Sequence, residues 1–280
     1  MHTGYVTGER SDKHLRSVPN FVGYPLNTLD PYSCASVECS YTMDTYPLIT
    51  GLICFAFAAI VLVQWTRRAH AYQLIWGISL LFGSAAAFMF VAFLHTGSPF
   101  YFRLYYIFGA LLVAAYLGMG SLFLVIPAGV ARAILAISVV LSACGASLLL
   151  VTPIDGAALS QVLHSGNPGA GVFVKGIWLA FLIPHNVFGA VSVLAVALYT
   201  TLRSVRRQAP YKFAIANAII AVGVITVSQA GSSARLGLQH GFWTITALGM
   251  TVLFVGFLVT MLPSTLRSPL VPDAPKAVRS

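Results

Sequence analysis

Residues 242–262 read FWTITALGMTVLFVGFLVTML. The stretch holds no Asp, Glu, Lys or Arg, and it ends on Pro263. A bilayer core about 30 Å thick accepts about 20 apolar residues as one helix. Hydrocarbon offers no partner to a peptide N–H or C=O, so such a segment must satisfy its backbone internally, as a helix does. This stretch is therefore read as a membrane span.

The same reading extends N-terminally through six more stretches, at roughly 47–66, 73–95, 104–127, 133–152, 176–202 and 213–231. None contains Asp, Glu, Lys or Arg. Short connections separate most of them: RRAHA, SPFYFR, AGVAR and RSVRRQAPYK. The longest, PIDGAALSQVLHSGNPGAGVFVK, lies between the fourth and fifth stretches. The expected fold is an all-α, seven-helix membrane bundle over residues 47–262. It is flanked by a polar tail at 1–46 and a short tail at 263–280.

Composition agrees. The 280-residue chain is 58% hydrophobic and only 8% charged, and its mean hydropathy is +0.84. Soluble domains carry about 25% charged residues. The net charge of +9 does not point to nucleic acid, because the basic residues lie in short loops and form no soluble face. They serve instead as topology signals. With the N-terminus outside, the inner segments hold Arg67, Arg68, Arg132, Arg203, Arg206, Arg207, Lys212, Arg267, Lys276 and Arg279. The outer loops hold only Arg103, Lys175 and Arg235, and the long N-terminal tail, which counts little, adds Arg10, Lys13 and Arg16. An N-out, C-in topology follows from that asymmetry. Trp65, Tyr72, Tyr101, Phe102, Tyr105, Tyr106, Tyr211 and Trp243 are expected as interface aromatics.

The opening segment MHTGYVTGERSDKHLRSVPN lacks the apolar core of a secretory signal. Composition changes sharply near Met43, which is an alternative starting residue. With the tail outside, Cys34 and Cys39 in CASVEC can close a small disulfide loop. Cys54 and Cys144 read as buried small residues.

Two short matches recur in order. RRAHAY at 67–72 pairs with RRQAPY at 206–211, and LGMGSLF at 117–123 with LGMTVLF at 248–254. A parallel 3+1+3 duplication, with the fourth span as linker, is consistent with them. The layout is similar to that of the small sugar carriers called SWEETs and of the PQ-loop proteins, although neither half here holds a Pro-Gln pair. Gly77, Gly83, Gly118 and Gly120 are expected to let helices approach closely.

No span carries a carboxylate, which disfavours proton or sodium coupling. The last span has no Lys for a retinal Schiff base. No HExxH or GxSxG motif is present, and an enzyme is not expected. Polar groups gather instead in the outer half: His95, Arg103, Lys175, His185, Asn186, Arg235 and His240. Pro184 cannot donate to the carbonyl of Ala180 and should kink the helix. That places a broken ladder beside His185 and Asn186, about 13 Å into the span. Pro184, His185, Asn186, His95, Arg103, Arg235 and His240 form the candidate ligand site.

Three functions are compatible with this pattern. The first is a small-solute carrier or ligand-binding receptor with an outward site near the fifth span. The second is a membrane subunit or scaffold of a larger complex. The third is a haem- or quinone-linked redox anchor. For haem, His95 with His185 or His240 supply the available imidazole pairs, offset in depth.

The segment RLYYIFGALLVAAYLGMGSLFLV at 103–125, with RLG at 235–237 and VLFVGFLV at 252–259, resembles a group of bacterial polytopic membrane proteins. The resemblance covers about 47–262. It implies a bacterial inner-membrane location and brings no substrate with it.

Overall fold

The structure, a computed structural model, describes residues 36–169, 171–206, 211–235 and 241–261. Among these residues, seven helices are long and apolar enough to cross a membrane. Spans one to seven are Asp44–Arg68, Ala71–Thr96, Pro99–Leu122, Ala128–Val151, Leu179–Arg206, Lys212–Ala234 and Phe242–Met261. The helix carrying span one begins earlier, at Ser36. Large apolar side chains point outward along the spans, among them Val140, Leu198 and Leu248, each about 60% exposed. Water would not tolerate so much apolar surface, and hydrocarbon does. The chain is built as a multi-pass membrane protein.

Two connections read from sequence as loops belong to helices. Span three starts at Pro99, with Ser98 as its N-cap. Proline at the first helical position gives up a backbone donor that had no partner there anyway. Span four likewise starts at Ala128, after Pro127. The long connection also contains a short helix, Gly156–Ser165. Asp155 caps it by accepting from the N–H groups of Ala157 (2.9 Å) and Ala158 (3.3 Å). Gly166 closes its C-terminus at φ 64°. Buried Leu159 and Val162 join this helix to the core cluster that includes Phe102 and Phe173. An isolated antiparallel bridge between Ile154 and Phe173 ties the base of the connection.

The turn between spans one and two is very short. Ala69 donates to the carbonyl of Trp65 at 2.7 Å and adopts φ 52°. A Cβ in the left-handed region is strained by roughly 1–2 kcal/mol. Ala69→Gly is therefore expected to raise stability by about 1 kcal/mol, read as a higher midpoint in thermal unfolding. An unchanged or lower midpoint would show that the turn relaxes when freed.

Six spans form a ring. Gly51 meets Ala87 and Phe88, joining spans one and two. Trp76 and Ser79 of span two donate to the carbonyls of Leu117 (3.1 Å) and Val113 (2.7 Å) in span three. Gly118 of span three packs on the backbone of Gly189 in span five. Spans five and six are in contact, and spans six and seven pack along much of their length. Across that last pair, a Cβ on Gly249 would lie 2.9 Å from the Val227 nitrogen, and one on Gly256 would lie 3.0 Å from the Ile220 nitrogen. Phe57 of span one stacks on Phe254 of span seven at 5.0 Å and closes the ring. Span four stands outside it, against spans three and five, and is the least buried of the seven.

One end of this bundle carries Arg67, Arg68, Arg203 and Arg206 at helix C-termini. The opposite end carries Asp44, His95, the short helix and the start of span seven. An aromatic cluster fills the core near that second end. Phe90 lies 4.9 Å from both Tyr105 and Trp243, and Tyr106 lies 4.9 Å from Phe173. Tyr105 is buried here, not set as an interface anchor. Its ring is held by neighbours from spans two and seven, and packing outweighs the interfacial preference.

Candidate functional site

Span three does not keep a uniform helix. Residues Tyr106–Val113 are π-helical, between α-helical segments Pro99–Tyr105 and Ala114–Leu122. π-Helices are rare and concentrate at functional sites. The wider turn leaves carbonyls poorly served by the ladder, and neighbouring spans supply donors. Asn186 donates from Nδ2 to the Ala110 carbonyl at 2.6 Å, and also to Leu182 at 2.9 Å. Ser79 donates to Val113 within the same segment.

A cavity of about 340 Å³ lies inside the ring, alongside this π-helical wall. All six ring spans line it, and span four does not. Small residues make the room: Gly83, Ala86, Gly109, Ala110, Gly189 and Ala190. From Trp243 to Leu253 the lining follows span seven for roughly 15 Å, at 1.5 Å per residue. Pro168 and Gly169 of the long connection border the cavity near the Asp44 end. The volume falls within the usual range of small-molecule sites, about 300–1,000 Å³.

The residues expected to form one site divide among several environments. Asn186 lines the cavity. Its neighbour His185 does not. The buried imidazole faces span four, with Nε2 3.2 Å from Ser142 Oγ and Nδ1 2.8 Å from the Phe181 carbonyl. A carbonyl can only accept, so Nδ1 carries the proton and Ser142 donates to Nε2. Pro184 is exposed on the outer surface of span five. Consecutive residues on a helix are turned by about 100°, so the three side chains diverge.

Arg103 donates from Nη1 to the Leu149 carbonyl, and its guanidinium lies 5.7 Å from the Phe173 ring centre. Leu149 sits in the last turn of span four, where carbonyls lack helical partners. Arg103 therefore caps span four and favours the negative end of its dipole. His95 pairs across spans one and two, with Nε2 3.0 Å from Asp44 Oδ2. It is 63% exposed, which makes that contact weak. His240, Cys34 and the side chains of Arg235 and Cys39 lie outside the described residues, and the suggested disulfide with them.

Among the described residues, haem ligation does not fit the His95 and His185 pair. Both ring nitrogens of His185 are engaged in hydrogen bonds, and His95 sits at the exposed edge beside Asp44. The described residues hold no group of three or more His, Cys, Asp or Glu side chains suited to a metal ion.

Sequence reasoning missed the cavity-lining small residues of span five and the glycines of spans six and seven. Gly189, Gly223, Gly249 and Gly256 all meet backbone atoms of a neighbouring span. Their spacing is visible in the sequence, but small residues are common in any membrane helix. In comparisons with known proteins, no family model, curated protein or solved structure matches this chain, so the site rests on its own geometry.

Proposed function

We propose that this protein is a small-solute carrier or ligand-binding receptor, and that its site is the cavity inside the six-span ring. The observation that carries the reading is the cavity itself: about 340 Å³, walled by small residues and by a π-helical segment held open by Asn186. Well-packed helices close such spaces. Keeping one open, beside a π-helical segment of the kind that gathers at functional sites, is what a binding site requires.

The outward orientation of the site follows from charge. Arg67, Arg68, Arg132, Arg203 and Arg206 lie toward the end opposite Asp44, and positive residues favour the cytoplasmic side. That supports N-out, C-in, with the cavity nearer the outer face. A bacterial inner membrane is the expected setting. Span four outside the ring also suits a 3+1+3 plan, with spans one to three and five to seven as halves. Against it, Gly118 meets span five whereas its counterpart Gly249 meets span six.

The test uses the full chain in nanodiscs, screened by thermal unfolding against neutral and charged small solutes. Ala190→Trp, which fills the cavity, serves as the control. A ligand at 100 times its Kd stabilises by about 2.7 kcal/mol. Stabilisation is expected in the native protein and not in the variant. Equal responses of the two would remove the cavity as the site. Uptake by proteoliposomes then separates carrier from receptor.

A membrane subunit of a larger complex is a second reading. It is favoured by the peripheral place of span four, which is the least buried of the seven and lines no part of the cavity. Native mass spectrometry showing only a lone protomer would count against it.

A further inference from the structure

The geometry points to an uncharged ligand with an apolar, ring-sized body and one hydrogen-bonding head, bound with its head between Tyr105 and Asn186. This assignment rests on the carrier-or-receptor reading above and narrows it to a chemical class.

The charge state follows from the walls. Among the described residues, no Asp, Glu, Lys, Arg or His lines the cavity. An ionised group inside would lose its hydration and find no counter-ion, which costs far more than burying a neutral polar group. The body follows from the same walls. Val113, Leu117, Val193, Val224, Met250 and Leu253 form the inner end and offer only apolar contact. Toward the Asp44 end, Tyr105 and Trp243 present aromatic surface with ring centres 5.8 Å apart.

The head follows from polar groups that the protein leaves without partners. Thr50 and Thr246 also line the cavity, but each donates back to the carbonyl four residues earlier, at 2.9 and 2.7 Å. The Tyr105 hydroxyl makes no hydrogen bond among the described residues, although the residue is only 6% exposed. Asn186 spends its amide N–H groups on Ala110 and Leu182, which leaves Oδ1 as a free acceptor. A phenolic donor and an amide acceptor on adjacent walls match a neutral head that can both accept and donate, such as a phenol or an alcohol. Span six, the neighbour of span five, adds Ser228 and Ser232, which make no hydrogen bond among the described residues. Such a molecule could arrive from water or from the bilayer.

Isothermal titration on the full chain in nanodiscs tests this with three matched probes: 1-naphthol, naphthalene and 1-naphthoate. 1-Naphthol is expected to bind most tightly, and the carboxylate at least about tenfold more weakly. Tyr105→Phe should weaken 1-naphthol by about fivefold and leave naphthalene unchanged, a split that a purely structural role for Tyr105 would not produce. Equal or tighter binding of 1-naphthoate overturns the uncharged class while leaving a ligand site in place. Equal loss of 1-naphthol and naphthalene in Tyr105→Phe overturns the assigned head. No heat with any probe, together with no ligand response in the thermal screen, overturns both this class and the reading beneath it. The source is read in a parallel arm, by native mass spectrometry before and after adding 1-naphthol. Displacement of a co-purified neutral lipid assigns the bilayer as the source, and binding without displacement assigns water.

Discussion

Gly189→Ala is expected to lower the melting temperature of the bundle by roughly 10 °C or more, while Gly129→Ala leaves it unchanged or slightly higher. At Gly189 a Cβ would overlap the carbonyl of Ala114 and lie 2.9 Å from the Ala115 nitrogen. The contact is reciprocal, since a Cβ on Gly118 would come within 2.7 Å of Gly189 Cα. These obstacles are backbone atoms, so no rotamer change relieves them. Spans three and five would have to separate. The Asn186–Ala110 hydrogen bond lies one turn away on the same interface and would stretch with them. Overpacking alone costs about 1–3 kcal/mol, and the lost bond adds to it. A Cβ on Gly129 would meet nothing within 4 Å, so the better helix propensity of alanine acts there alone. Equal melting temperatures for Gly189→Ala and the native protein would mean that spans three and five do not touch through their backbones.

Asn186→Leu is expected to cost about 1–3 kcal/mol, with Asn186→Asp no better. Leucine keeps most of the volume but gives up both donors, at 2.6 and 2.9 Å. The carbonyl of Ala110 is then left in a π-helical turn without its side-chain donor. An ionised carboxylate accepts only and is costly to bury here, and a neutral one offers a single O–H where the amide serves two carbonyls, so one of them stays unmet. Ordinary interhelical hydrogen bonds in membranes average about 0.6 kcal/mol, because the unfolded segment finds other partners. Asn186 should exceed that average, since the wider turn of span three has no internal substitute. Thermal unfolding in detergent gives the measurement. A loss of about 0.6 kcal/mol or less would show that Ala110 is satisfied without Asn186, and the π-helical wall would then need a different explanation.

Parts of the site are legible in the sequence and parts are not. Asn186 stands out because it follows Pro184 in an apolar segment, and it does line the cavity. His185 stands out on the same ground, yet it turns toward Ser142 in span four. The sequence holds no sign of that split. In a soluble helix the polar face marks the outside, and the phase of the pattern tells which way each residue points. Here both faces of span five are apolar, one meeting lipid and the other protein, so the phase is lost. Arg103 illustrates a different gap. In the sequence it belongs with an outer polar cluster, and in the fold it serves as a cap on the last turn of span four. Only the meeting of two helices far apart in the chain creates that role.

The π-helical turn of span three is equally hidden. YIFGALLV has nothing unusual in propensity, and the wider turn exists because Asn186 and Ser79 approach from other spans to hold its carbonyls. The short helix Gly156–Ser165, by contrast, is locally written. Asp155 stands at its N-cap and Gly166 just past its end, the pattern that starts and stops helices in water.

The sequence by itself determined the solvent and the count of spans: seven long stretches free of charge can be hidden only in hydrocarbon, and each must close its own backbone hydrogen bonds. Tertiary structure decided which of those helices make the ring, that the fourth stands outside it, and which side of each faces the cavity. The reason is that lipid and protein interior are nearly alike in polarity. Burial therefore leaves no periodic mark on the chain, and small residues, close backbone contacts and a few donated hydrogen bonds select the packing.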